Sequence, residues 1–186
     1  MAIRNIRTEE DPILRKTSKT IKEVTERTDE LIDDMIESLK EFNGVGLAAV
    51  QVGVLKRLCI IHISPEDAGD DEEEDTDVQN GACLPGYMSH TDDEDLVIIN
   101  PEIEVIGNET QTGNEGCLSI PNKWGVVTRP MNIILKAFDR NMQPYELKAC
   151  GLLARAICHE TDHMYGKLYI DIVEGDLMTN AADGEE

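Results

Sequence analysis

The chain has 186 residues, 40% of them hydrophobic, and a formal charge of −21. Such a chain supplies one substantial core and fits two ordinary domains poorly, so a single domain over residues 1–186 is expected. Strong acidity without a basic patch argues against non-specific attraction to nucleic acid or an anionic membrane. No run approaches the roughly 20 apolar residues of a spanning helix.

The first ten residues lack an apolar signal-peptide core, so a cytoplasmic protein is expected. Its five cysteines (Cys59, Cys83, Cys117, Cys150, Cys158) are odd in number and irregularly spaced. Reduced thiols, or one thiolate on a metal, are expected in preference to a disulfide framework.

Along the chain, Leu31, Ile32, Met35, Ile36 and Leu39 recur at helical spacing and predict a helix over 28–42 with one buried stripe. Asp29 and Glu30 suit its positive end, and Asn43-Gly44 suits its termination. A Gly-rich stretch follows, then a buried strand over 58–63. Between Pro65 and Asp95 stand 13 Asp or Glu and no Lys or Arg, a self-repelling run expected to form an exposed, mobile insertion.

Strand-like runs then crowd together at 96–99, 102–106, 126–127, 132–138 and 143–147, separated by turn residues at hairpin distances. They predict antiparallel sheet. A helix over 151–165 follows, with Leu152, Leu153, Ala156 and His159 on or beside one face and Gly166 placed to cap it. A short strand is expected at 168–173 and a frayed tail from about 175. Helices packed on bent antiparallel sheet, an α+β fold, is the economical architecture.

The sharpest chemical signal is His159-Glu160-Thr161-Asp162-His163, which fits H-E-x-x-H. Imidazoles four residues apart on a helix project from one face and can reach one cation, with Glu160 beside them to carry a proton. The plain alternative is two surface histidines and an ordinary carboxylate. It is disfavoured because the helix is apolar, and buried polar groups without partners are costly.

A catalytic site of this kind needs a third protein ligand and an open position for water. Downstream, Gly166 fits the template H-E-x-x-H-x-x-G-x-x-H, but Tyr169 stands where the third His belongs. Glu174 follows the helix too soon for the other common pattern. Upstream, Glu115-Gly116-Cys117-Leu118-Ser119 offers a thiolate beside a glycine that permits close backbone approach. Taken alone, Cys117 is better read as a small buried hydrophobe than as a ligand.

The stretch Gly44-Val45-Gly46-Leu47-Ala48-Ala49-Val50-Gln51-Val52-Gly53 is too glycine-rich for a regular strand and too apolar for a solvent loop. It could lie along a substrate, offering backbone N–H groups and the Gln51 amide. It could also be a tight connection packed on the core.

In this order, the three segments G-x-G-L-A-A-x-Q, E-G-C-L-S and H-E-x-D-H resemble the signature of bacterial and organellar peptide deformylases. The similarity runs from Ile3-Arg4 and 11–14 to Ile170-Asp171. It implies a hydrolase that removes the N-formyl group from formyl-methionyl peptides and nascent chains, releasing formate. It implies Cys117, His159 and His163 as ligands of one Fe²⁺, with Zn²⁺, Ni²⁺ or Co²⁺ as substitutes.

Glu160 would be the general base and then acid, with Gln51 and the Leu118 N–H meeting the oxyanion. Gly46, Val45, Glu115, Leu152 and Ala156 would contact substrate or shape its path. The chain departs from the pattern at Val50, where Pro is usual, and in the acidic insertion. A third departure is its end, where many relatives continue into a helix after the segment matching Tyr169–Ile172.

Overall fold

The computed structural model describes residues 2–67 and 81–179. Helix α1 (Glu26–Glu41) starts at Thr25, whose side chain accepts from the Thr28 N–H, with Glu26 and Asp29 in its first turn and Lys40 in its last. These charges complement the helix dipole. Asn43 takes the left-handed conformation (φ 49°) and Gly44 donates its N–H to Leu39 O at 3.1 Å. The expected Asn-Gly stop is therefore present, with Asn43 as the left-handed residue.

Five strands form one antiparallel sheet in the order β1 (Gly46–Ala48), β2 (Leu58–Ile61), β3 (Leu96–Val105), β6 (Asn132–Phe138), β7 (Pro144–Cys150). β4 (Thr110–Cys117), β5 (Ile120–Pro130) and β8 (Glu174–Thr179) form a second antiparallel sheet. Along β2, Leu58 and Ile60 pack with Leu31, Ile32, Met35 and Leu39 of α1. Cys59 and Ile61 pack with Leu153, Ala154 and Ile157 of α2 (Gly151–Met164). Because successive strand side chains alternate, the two helices cover opposite faces of this sheet.

Helix α2 meets both sheets. Leu153 to Glu160 are buried without a break, and Ile120 and Val127 of the second sheet join the same core. A helix buried on every side is the setting in which polar residues need specific partners.

The runs expected at 96–99 and 102–106 are one strand, β3, which passes Asn100-Pro101 through a bulge. Proline is tolerated there because a bulge leaves a residue outside the ladder. The segment expected as a strand at 168–173 instead carries a 3-10 turn at Tyr169–Asp171. The tail expected to fray is strand β8 as far as Thr179, paired to β5.

The acidic run divides. Residues 68–80 lie outside the described residues, while the part from Gly81 is docked. Met88 donates its N–H to Lys148 O and accepts from Cys150 N, Ser89 O accepts from Leu153 N, and Thr91 bonds Ile63 through backbone and side chain. Lys40 and His62 both reach Asp95. Cys83 and Cys150 form a disulfide, against the expectation of reduced thiols at these two positions. Cys59, Cys117 and Cys158 are free. No helix among the described residues is long and apolar enough to cross a membrane.

Candidate metal centre and active site

Cys117 ends β4 at a bulge that opens between Gly116 and Cys117, just before the two-residue turn Leu118-Ser119 into β5. His159 and His163 project from one face of α2. One donor atom from each of Cys117, His159 and His163 lies within 4.8 Å of the others, and Cys117 Sγ stands 3.4 Å from His163 Nε2. Ligands around a four-coordinate zinc-type ion are spaced by about 3.5 Å, so little adjustment separates this arrangement from a coordinating one. A thiolate with two imidazoles is also chemically suited to Fe²⁺ or Zn²⁺.

His159 is oriented from behind. Its Nδ1 lies 2.9 Å from Glu115 Oε2, and its ring stacks at 6.1 Å on Tyr169, whose hydroxyl donates to Lys123 O. Tyr169, which occupies the position of a third histidine in the other template, thus backs the site. Burial opposes charge on His159, but hydrogen bonds to Cys117 and Glu115 raise its pKa well above the usual value. Burial, reinforced by the His159 charge, pushes His163 well below it.

Glu115 borders the cavity, yet its carboxylate is committed elsewhere. Oε1 accepts from Arg129 Nε at 2.9 Å and Arg155 Nη1 at 3.1 Å, while Oε2 accepts from Arg129 Nη2 at 3.0 Å and faces His159. Burial alone would raise its pKa; the His159 and Arg129 hydrogen bonds outweigh it and bring the group to about 2. Arg129 also donates to Asp162, the acidic residue inside the H-E-x-D-H run, at 2.6 Å. None of Arg129, Arg155 and Asp162 was marked as functional by the sequence. Arg129 and Arg155 act through tertiary contacts that no short spacing betrays, and Asp162, although inside the motif, shows its role only through Arg129.

Glu160 is buried beside Gly46, and its Oε2 has no hydrogen-bond partner among the described residues. Burial raises its carboxyl to about 7. Gln51 sits in the 3-10 turn Ala49–Val52 with its amide held at both ends. Oε1 accepts from Ala48 N at 2.8 Å, and Nε2 donates to Ser119 Oγ at 3.1 Å and Cys117 Sγ at 3.4 Å. The glycine-rich stretch is therefore both a tight connection and a wall of the site.

These groups line a cavity of about 480 Å³, a volume in the range of small-ligand sites. Val45, Gly46, Gln51, Glu115, Cys117, Leu118, Leu152, Ala156, His159 and Glu160 all border it, and His163 lies behind them, buried. Asn122, Lys123 and Trp124 of β5 border it too, and sequence reading had not singled them out.

A family profile described as polypeptide deformylase matches residues 3–176. The chain belongs to that family. It is 47% identical over 186 residues to the peptide deformylase of Lachnoclostridium phytofermentans, covering 100% of this chain and 98% of that one. With the peptide deformylase of Agathobacter rectalis it shares 44% over 177 residues, covering 95% and 94%.

Among solved structures, the Ehrlichia chaffeensis deformylase in complex with actinonin superposes with TM-score 0.80 at 32% identity, covering 94% of this chain and 90% of that one. The Met-Ala-Ser-bound class I type b deformylase of Acinetobacter baumannii gives 0.75 at 26%, covering 92% and 99%. Deformylases are metal-dependent hydrolases, and among the described residues Cys117, His159 and His163 form a group that could hold the ion.

Proposed function

We propose that Cys117, His159 and His163 hold one divalent cation and that Glu160 moves the proton as this deformylase removes the N-formyl group from a newly made polypeptide. The observation that carries this reading is the convergence of one sulfur and two imidazoles within 4.8 Å, at a cavity that Glu160 shares. Fe²⁺ is the proposed ion, with Zn²⁺, Ni²⁺ or Co²⁺ as substitutes, since the mixed sulfur and nitrogen donor set suits each. When bound, the ion supplies Lewis acidity, which can bring the pKa of water to about 7 and polarise a carbonyl.

The protein groups do the rest. Glu160 accepts a proton from the attacking water and delivers it to the departing amine, so that formate and a free N-terminus leave. Gln51 is anchored through Oε1 to Ala48 N and through Nε2 to Ser119 Oγ, which leaves the N–H that faces Cys117 to meet the developing oxyanion together with the Leu118 N–H. Losing one such donor typically costs on the order of 10² to 10³ in rate.

Glu115 serves His159 rather than the substrate. Val45, Leu152 and Ala156 wall an apolar space for the methionine side chain, whose burial is worth roughly 1.5–3 kcal/mol. Gly46 keeps the peptide path open beside Glu160. Formyl-methionyl nascent chains as substrate fit a cytoplasmic enzyme.

Formate release from formyl-Met-Ala-Ser by protein prepared anaerobically with Fe²⁺ tests the proposal. Release of formate with no cutting of an unformylated protein is expected. Cleavage of the unformylated protein without formate release would point to an endopeptidase built on the same motif.

A further inference from the structure

The metal ligands come from two elements, Cys117 from β4 and both histidines from α2, so their convergence depends on how firmly helix and hairpin are joined. Two arginines join them. Arg129 of β5 reaches Asp162 of α2 from one side. Arg155, four residues before His159, reaches back from α2 with Nη1 to Glu115 Oε1 at 3.1 Å, Val127 O at 3.0 Å and Gly113 O at 3.3 Å, and with Nη2 to Gln111 O at 3.3 Å. A Cβ on Gly113 would stand 3.2 Å from Nη2, so the glycine makes room for the guanidinium.

We propose that Arg155 is a positioning residue of the metal centre that acts through Glu115: held between α2 and the β4–β5 hairpin, it occupies Glu115 Oε1 and so reserves Oε2 for His159 Nδ1. The inference rests on the assignment of Cys117, His159 and His163 as ligands. With Nδ1 committed to Glu115, Nε2 of His159 is the atom that faces the cation, and partners of this kind set both the ring's orientation and its basicity. Arg129 cannot replace Arg155 here, because its Nε and Nη2 are already paired one to each Glu115 oxygen and its Nη1 is on Asp162. Lysine, with a single compact ammonium, cannot span a carboxylate and three carbonyls at once.

The test is the rate at which protein loaded with one Zn²⁺ per chain loses it to excess chelator, for wild type, Arg155→Met, Glu115→Gln and the double variant. Arg155→Met is expected to release zinc 10- to 100-fold faster, the effect typical of losing a partner behind a ligand. If Arg155 acts through Glu115, the double variant releases no faster than Glu115→Gln alone. Release from folded Arg155→Met at the wild-type rate, or multiplied effects in the double variant, would overturn the inference. Should Arg155→Met not fold, Arg155→Lys decides: faster release supports the role and unchanged release overturns it. A wild-type chain that takes up no zinc would instead sink the ligand assignment itself.

Discussion

A Cβ built on Gly46 would stand 2.5 Å from Glu160 Oε1, so the carboxylate rests directly on glycine backbone. Any side chain at 46 must displace the group proposed to carry the proton. Gly46→Ala is expected to keep the metal, whose proposed ligands lie on other elements, and to lower kcat on the order of 10²-fold, as small displacements of reacting groups do. Metal content and kcat measured on the same sample check it, and full activity would remove Gly46 from the site.

Glu160→Gln keeps the shape of the side chain and removes its proton chemistry. We expect unchanged metal content and a rate lowered by at least about 10² to 10⁴, the range of general acid-base catalysis. Turnover near the wild-type rate in a metal-replete variant would hand the role to another group.

Glu115 sets a pH dependence of stability in the metal-free protein. Its folded pKa of about 2 lies below the ordinary 4.5, because His159 and Arg129 favour the charged form more than burial disfavours it. A depressed carboxylate stabilises the fold fully above pH 4.5, and that stability is lost as pH falls toward 2, on the order of 3 kcal/mol in all. Denaturant midpoints from pH 5 to 2.5 should therefore fall more steeply for wild type than for Glu115→Gln. Parallel slopes would contradict the assignment.

The disulfide joins residues 67 apart in sequence, and closing a loop of that size in the unfolded chain is worth about 4 kcal/mol. Protein purified without reductant and unfolded in a chelator should expose three reactive thiols, those of Cys59, Cys117 and Cys158. Reduction should lower its denaturant midpoint. Five reactive thiols in the untreated sample would show that Cys83 and Cys150 stay apart.

Local pattern carried the two histidines, Glu160 and both helices, because helical periodicity and H-E-x-x-H are written in neighbouring residues. Cys117 and Gln51 became legible only when three segments were read together. β4 escaped notice because its buried positions, Gln111 and Glu115, are polar and are satisfied by distant partners: Gln111 Nε2 donates to Gly151 O at 2.7 Å, and Glu115 meets two arginines and a histidine. Acidity suggested that the stretch from 65 to 95 buries little and is mobile. Yet Met88, Thr91 and the disulfide anchor the latter part through backbone bonds and one covalent link, which charge does not oppose.

One sulfur and two ring nitrogens of this chain are proposed to bind the same ion. X-ray absorption at the metal edge of protein loaded anaerobically with Fe²⁺ tests it most directly. One sulfur and two imidazole nitrogens are expected around the iron, with the sulfur signal gone in Cys117→Ser. Iron surrounded only by oxygen and nitrogen in the wild-type protein would contradict it.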